Sequence, residues 1–174
     1  YPNGSMVCVE NTSNRGGGTC YSMGVLDEIA KVAKDNNCKS HIDGARIFNA
    51  SISSSLSVER MAREYDTISV CLSKGLGAPV GSVLVGPSKS LYKAHRWRKM
   101  FGGGMRQAGV LAAAGIYALD NNINRLSEDH ARAREIASAV SKMDSYNVDL
   151  NQVQTNMVYV GCEKGDSENL VSRL

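Results

Sequence analysis

Three short stretches of the chain carry reactive side chains at the places where apolar runs end. Lys74 follows the apolar run "DTISVCLS" (66–73) and precedes a glycine. The stretch "HIDGAR" (41–46) ends a second run, and "ENTSNRGGG" (10–18) follows a third. Functional groups in open α/β sheets gather at the carboxyl ends of the strands. We therefore expect these three stretches to meet in one cleft.

The residue types in these stretches suggest amine and carboxylate chemistry. A lysine amine that is partly removed from water attacks carbonyl carbons and forms a Schiff base. If that carbonyl belongs to pyridoxal 5'-phosphate, a carboxylate is needed beside the ring nitrogen to keep it protonated, and Asp43 is the candidate. The planar guanidinium of Arg46 suits a substrate carboxylate or the cofactor's phenolate oxygen.

Each of these residues also has a plainer interpretation. A lone aspartate at a strand end is more often a cap or turn residue, and an isolated Ser-Lys-Gly is more often an ordinary loop. Three such strand ends in one chain, each with suitable chemistry, favour the functional interpretation.

The elements that must position these groups alternate between strand and helix, which is typical of an α/β layer with parallel strands. A second helical region follows, and the stretch "SISSSLS" (51–57) is predicted to be a loop. The predicted strands are 5–10, 39–43, 66–73, 81–86 and 155–162, and the predicted helices are 21–37, 57–65, 88–100, 106–119 and 123–143. Ser22 is placed to cap the first helix.

Composition narrows the class of protein. A length of 174 residues with 43% apolar residues suits about one domain, and a net charge of +3 is too slight to indicate nucleic-acid binding. The 5 cysteines are an odd number with no CxxC pair, so we expect reduced thiols and a cytoplasmic protein. They also show no metal-ligand spacing, so we expect no metal site. The longest apolar stretch, 110–119, is shorter than the roughly 20 residues of a membrane span.

Longer motifs carry a resemblance to a known family. The stretches "VENTSNRGGG", "HIDGARIFNASI", "VCLSKGLGAPVGSVLVG", "RWRKMFGGGMRQAGVLAAAGIYAL" and "RLSEDHARA" resemble the low-specificity threonine aldolases. Those enzymes depend on pyridoxal phosphate and have the aspartate aminotransferase type of fold (fold type I). The resemblance runs nearly continuously from Val7 to Val160.

The resemblance implies a fold and a division into domains. It implies a three-layer αβα domain with a mainly parallel sheet, followed by a small α+β domain. Residues 1–140 would form the C-terminal part of the large domain, including the linking helix. Residues 141–174 would begin the small domain without completing it. The family also implies a homo-oligomer, a dimer of dimers.

The resemblance also implies an activity: retro-aldol cleavage of L-threonine or L-allo-threonine to glycine and acetaldehyde. Lys74 would hold the cofactor as a Schiff base and act as the catalytic residue. Asp43 would pair with the pyridinium nitrogen. Arg46 would bind the substrate carboxylate or the cofactor oxygen, and the amino acid would be the small-molecule partner, with no nucleic acid or membrane involved.

Several further positions have two interpretations. By resemblance, Lys99 and Arg106, which flank "MFGGGM", lie near the active site and the subunit contact, although the stretch also reads as a turn with two solvated cations. Asn11 and Asn14 lie where related enzymes bring polar side chains to the cofactor ring, but asparagine is also a common turn residue. His41 shares a strand face with Asp43 and can hydrogen-bond to it or serve a structural role.

Two histidines are predicted to lie on the surface, and the chain departs from the family pattern in two ways. His95 and His130 lie among charged residues and are predicted to be on the surface. Ser13 stands where the family has a histidine, and a serine can neither stack on a ring nor act as a base near neutral pH. The family's chain also extends at both ends, where it holds the phosphate-binding turn and a second carboxylate-binding arginine.

These departures leave two alternatives open. One is another lyase of the same fold that eliminates a β-substituent. The other is a truncated, non-catalytic fragment.

Overall fold

A mainly parallel sheet forms the centre of the protein. The computed structural model describes residues 4–162 and 166–172. Its sheet contains, in spatial order, β1 (Met6–Glu10), β2 (Lys39–Asp43), β3 (Thr67–Cys71) and β4 (Ser82–Val85). The first three strands run parallel, and β4 pairs antiparallel with β3. The predicted α/β class with a mainly parallel sheet is confirmed.

Helices join these strands and continue after them. The helices are α1 (Met23–Asp35), α2 (Ile47–Ser54), α3 (Val58–Ala62), α4 (Ser88–Met100), α5 (Gly109–Asn121), α6 (Leu126–Val140) and α7 (Asp166–Val171). Two short antiparallel strands, β5 (Tyr146–Asn147) and β6 (Gly161–Cys162), flank a single 3-10 turn, Leu150–Gln152. Within residues 4–162 and 166–172, no helix has the length and apolar character needed to cross a bilayer.

The main core lies on one face of the sheet. Alternate strand residues meet the apolar faces of α1, α2 and α3, because successive side chains in a strand point to opposite faces. The buried members of this core are Val9, Leu26, Ile42, Ile47, Ala50, Met61, Ile68 and Val70. Ser22 caps α1, since its Oγ accepts a hydrogen bond from the Val25 backbone N–H at 3.4 Å.

The other face of β1 and β2 is open. Met6, Cys8 and Lys39 are exposed there, and His41 is half-buried. The predicted three-layer arrangement would add a cover on this face.

His130 corrects one prediction, because it is buried rather than on the surface. Its exposed fraction is 3%. It lies on the buried stripe of α6 with Leu126, Ala133 and Ala137. The stripe follows helical spacing, so the periodicity of α6 decides its burial and the charged neighbours in sequence do not. His95 is exposed, as predicted.

Two predicted boundaries are also corrected. The stretch 51–57 is not wholly a loop, because α2 continues to Ser54, whose Oγ bonds to the Ala50 carbonyl at 2.7 Å. In the predicted strand 155–162, only Gly161–Cys162 pairs with another strand. The residues before that pair bond instead to the loop after β1.

Candidate active site

The carboxyl ends of the three parallel strands lie side by side. Asp43 pairs in register with Glu10 of β1 and with Ser69 of β3. Backbone hydrogen bonds extend this alignment just past the strands: Asn11 N donates to the Asp43 carbonyl at 2.9 Å, and Gly44 N donates to the Ser69 carbonyl at 2.8 Å. The three polar stretches therefore leave the sheet at one edge.

Asp43 is both a turn residue and an available carboxylate. Its Oδ1 accepts from the Ala45 backbone N–H at 3.1 Å, which closes the turn into α2. The side chain is exposed, and Oδ2 has no hydrogen-bond partner among the described residues. Gly44 packs so closely that a Cβ there would lie 2.8 Å from the Ser69 carbonyl oxygen. The tight turn thus fixes the Asp43 backbone and leaves one carboxylate oxygen free for a ligand.

Arg46 is held by the loop that follows β1. It is half-buried, directly before the first residue of α2. Its Nη1 donates to Asn14 Oδ1 at 3.2 Å. The backbone N–H of Asn14 in turn donates to Glu10 Oε2 at 3.1 Å. The guanidinium is therefore oriented from the neighbouring strand end and keeps further donors for an anion.

Lys74 has a fixed backbone and a free side chain. Gly77 N donates to the Lys74 carbonyl at 2.8 Å, and Asn122 at the end of α5 donates through Nδ2 to the Leu76 carbonyl at 2.7 Å. Gly75 packs against α6, because a Cβ there would lie 2.8 Å from Leu126 Cδ2. The Lys74 side chain is exposed. The described residues therefore do not remove its amine from water, contrary to the expectation from sequence.

Asn11 and Ser13 serve the turn after β1. Asn11 is fully buried, its Oδ1 accepts from the Tyr21 backbone N–H at 3.3 Å, and its Nδ2 lies 4.0 Å from the Met61 sulfur. Its amide is thus directed to the core. Ser13 Oγ accepts from the Gly16 backbone N–H at 3.2 Å. This local bond is what the serine provides where the family has a histidine.

His41 bonds to hydroxyl groups of β3. Its Nδ1 lies 2.8 Å from Thr67 Oγ1, and its Nε2 lies 3.4 Å from Ser69 Oγ. No hydrogen bond joins it to Asp43 in the described part of the chain. Sequence reasoning missed Thr67 and Ser69, although their two-residue spacing on a strand placed both on one face.

Lys99 and Arg106 lie beside the turn between α4 and α5. Both are exposed, near the turn between α4 and α5 where Gly102 has φ of 82°. Neither makes an ion pair or a side-chain hydrogen bond with Lys74 or Asp43 within the described residues.

Comparison with known proteins places these features in a family. A model of the β-eliminating lyase family matches residues 1–163. The chain belongs to the β-eliminating lyase family. Two curated proteins that it resembles are the low-specificity L-threonine aldolase 1 of Arabidopsis thaliana, 44% identical over 165 residues, and the low specificity L-threonine aldolase of Escherichia coli strain K12, 44% identical over 155 residues. The resemblance inferred from the sequence motifs is confirmed.

These β-eliminating lyase relatives are longer than the chain. The matches cover 95% and 89% of this chain but only 46% and 45% of the Arabidopsis and Escherichia coli proteins. The chain therefore spans about half the length of the curated relatives it matches.

Solved structures agree on the fold. The threonine aldolase of Leishmania major superposes with a TM-score of 0.77 at 21% identity, covering 97% of this chain and 49% of that one. The pyridoxal-phosphate-bound C-S lyase of Staphylococcus hominis gives 0.63 at 13% identity, covering 98% and 44%. At these identities the likeness concerns the fold, and it confirms the predicted type.

The donor set at this edge of the sheet fits a pyridine aldehyde cofactor. An exposed amine, a carboxylate with a free oxygen and a partly held guanidinium leave the same edge of the sheet. These are the groups that such a cofactor and an amino-acid substrate require: a nucleophile, a counter-ion for a ring nitrogen and a carboxylate receptor.

Proposed function

We propose that the protein containing this chain cleaves L-threonine or L-allo-threonine to glycine and acetaldehyde, with pyridoxal phosphate as cofactor. The observation that carries the proposal is the exit of Lys74, Asp43 and Arg46 from adjacent strand ends. The names of the curated relatives support the reaction, a carbon–carbon lyase reaction on a β-hydroxy amino acid.

Each of the three residues has a separate task in this proposal. Lys74 Nζ would hold the cofactor through its aldehyde carbon as a Schiff base, with loss of water, and the hydrogen-bonded loop would keep the Lys74 backbone at the sheet edge. The free Oδ2 of Asp43 keeps the ring nitrogen protonated, because an adjacent negative charge favours the charged form. When bound, the cofactor accepts the electron pair of the broken Cα–Cβ bond.

Arg46 sets the orientation of the substrate. Its guanidinium forms paired hydrogen bonds with a carboxylate, and this fixes the rotation of the amino acid about its Cα. Cleavage needs the Cα–Cβ bond perpendicular to the cofactor ring, so holding the carboxylate selects the bond that breaks. The hydrogen bond from Arg46 to Asn14 restricts the orientation of the guanidinium before the substrate binds.

The other predicted positions act around this centre. Asn11 holds the turn after β1, and a contact with the cofactor ring would require its amide to leave Tyr21. Ser13 closes the glycine-rich loop, and His41 aligns β2 with β3 through hydroxyl groups.

We also propose a homo-oligomer, a dimer of dimers, formed through α4 and α5. Large apolar side chains are exposed there: Tyr92, Trp97, Met100, Phe101, Met105, Val110, Ile116 and Tyr117. Lys99 and Arg106 border this surface and would act at the contact. Five unpaired cysteines support a reducing compartment such as the cytoplasm. Sedimentation of an active monomer would contradict the assembly.

An acetaldehyde assay tests the activity. The purified protein, with any residues that flank this chain in its natural polypeptide, is incubated with L-threonine or L-allo-threonine, and acetaldehyde is detected with alcohol dehydrogenase. We expect acetaldehyde and glycine in equal amounts, and none from the Lys74→Ala variant. Borohydride reduction and peptide mapping should find the cofactor on Lys74 rather than on Lys89, Lys93 or Lys99.

Other products would support the alternatives. Formation of pyruvate or another α-keto acid would indicate the β-eliminating reaction. A protein that retains no cofactor and forms no product would indicate a non-catalytic form.

A further inference from the structure

The segment 155–160, which precedes β6, contacts the loop that follows β1, although the two are far apart in sequence. Tyr159 donates its hydroxyl hydrogen to the Asn14 carbonyl at 2.8 Å across 145 positions. Thr155 Oγ1 donates to the Gly18 carbonyl at 2.7 Å across 137 positions. Thr155 is fully buried, and Tyr159 is 58% exposed. The segment is thus anchored at Thr155, and at Tyr159 it contacts the loop that bonds to Arg46.

One glycine of the loop, Gly18, makes this approach possible, and a second, Gly17, lies against the tyrosine ring. A Cβ at Gly18 would lie 2.5 Å from Thr155 Oγ1, closer than real side chains come. A Cβ at Gly17 would lie 3.7 Å from the Tyr159 ring, which therefore packs on the glycine backbone. Both residues have positive φ, 73° at Gly17 and 79° at Gly18, which favours glycine. The glycine-rich stretch thus packs against the segment.

Asn14 connects the Tyr159 contact to Arg46. Its carbonyl accepts from Tyr159 and from the Gly17 backbone N–H at 3.2 Å, its backbone N–H donates to Glu10, and its Oδ1 accepts from Arg46 Nη1 at 3.2 Å. The backbone of Asn14 is therefore held from two sides, and its side-chain oxygen is presented to the guanidinium. A shift of the Asn14 backbone would move the only side-chain acceptor that Arg46 has among the described residues.

We propose that Tyr159 is a positioning residue for Arg46. Its hydroxyl fixes Asn14, and Asn14 orients the guanidinium that receives the carboxylate of the amino acid. The inference rests on the proposed function, in which Arg46 binds that carboxylate. Tyr159 belongs to the segment predicted to begin the small domain, so the placement of that segment and the affinity for amino acids are coupled.

Binding of glycine provides a test that does not depend on turnover. Glycine carries the carboxylate and amine of the substrate and lacks the bond that is cleaved. Its Kd is measured by calorimetry on the cofactor-loaded protein, next to the cofactor absorbance and to KM and kcat for threonine. Tyr159→Phe removes only the hydroxyl and keeps the ring on Gly17. Tyr146→Phe is the matched control, because that hydroxyl has no hydrogen-bond partner among the described residues.

We expect Tyr159→Phe and Asn14→Ala to raise the Kd of glycine and the KM of threonine by about three- to tenfold, the effect of losing one orienting hydrogen bond. Cofactor absorbance should not change, kcat should also fall because the carboxylate no longer fixes the bond that breaks, and Tyr146→Phe should match the wild type. The effect of Tyr159→Phe should also vanish in an Arg46→Ala background, because the two residues act on one contact.

Three other results would overturn the inference, and they differ in meaning. If Arg46→Ala weakens glycine binding and Tyr159→Phe does not, Tyr159 has no positioning role while the proposed function stands. If Arg46→Ala binds glycine like the wild type, the assignment of Arg46 fails, and the inference fails with it. A parallel loss of cofactor and thermal stability in Tyr159→Phe would indicate a purely structural contact.

Discussion

The buried hydrogen bond between Asn49 and His130 allows a quantitative test of how α2 is held against α6. Asn49 Nδ2 lies 3.1 Å from His130 Nε2, and both residues are only 3% exposed. Removing one partner leaves the other polar group buried and unsatisfied, which costs about 1–3 kcal/mol. We expect this loss in Asn49→Leu and in His130→Leu. The double variant should lose less than the sum, because it leaves no orphaned group.

Urea unfolding at pH 7.5, followed by circular dichroism, measures these free energies. A loss of about 1–3 kcal/mol corresponds to a fall in Tm of about 2–12 °C for a domain of 150–250 residues. Single variants within about 0.5 kcal/mol of the wild type, the range of ordinary surface substitutions, would refute the reasoning. Strictly additive single effects would refute the hydrogen bond itself.

The same contact predicts a dependence on pH. Burial lowers the pKa of His130, the positive charge of Arg134 lowers it further, and the carboxylate of Asp129 acts weakly in the opposite direction. The unfolded chain takes up this proton near pH 6.5, whereas the folded chain resists it, so stability falls as pH drops below about 6.5. One proton limits the slope to about 1.4 kcal/mol per pH unit. The stability advantage of the wild type over His130→Leu should therefore shrink between pH 7.5 and 5.

Two further outcomes follow from the site and its loop. Asp43→Asn should bind pyridoxal phosphate weakly and lose orders of magnitude in kcat. Its circular dichroism spectrum should not change. Near-normal turnover would show that Asp43 is only a turn residue. Gly18→Ala should destabilise the protein by about 1–3 kcal/mol, because φ is 79° and the new Cβ would meet Thr155. Gly24→Ala is the control: it lies in α1 with nothing within 4 Å of its Cβ, and should stabilise by about 0.4–1 kcal/mol in urea unfolding.

The placement of the reactive groups could be predicted because it depends on local signals. Apolar runs followed by Gly-containing turns identify strand ends, and parallel strands bring those ends to one edge. Asp43 ends β2, Arg46 follows it, and Lys74 follows β3, the neighbouring strand. Their roles toward a cofactor remain predictions.

The contacts around those groups could not be predicted, because they join distant parts of the chain. Nothing near Asn14 in sequence indicates that Tyr159 will bond to it, and the apolar letters of 155–160 favour a strand equally well. His130 is a different case. Its spacing from Leu126 and Ala133 placed it on the buried stripe of α6, and a count of the stripe would have shown this.

The stacking of Trp97 on α4 decides what intrinsic fluorescence can report. The chain has 1 tryptophan, which is 54% exposed and packs on Phe101 with ring centroids 5.7 Å apart. Its emission therefore reflects the surroundings of α4 rather than the core of the sheet. A blue shift of that emission with rising protein concentration would mark the covering of α4, while circular dichroism follows the backbone. The two signals separate association from unfolding in one sample without an added dye.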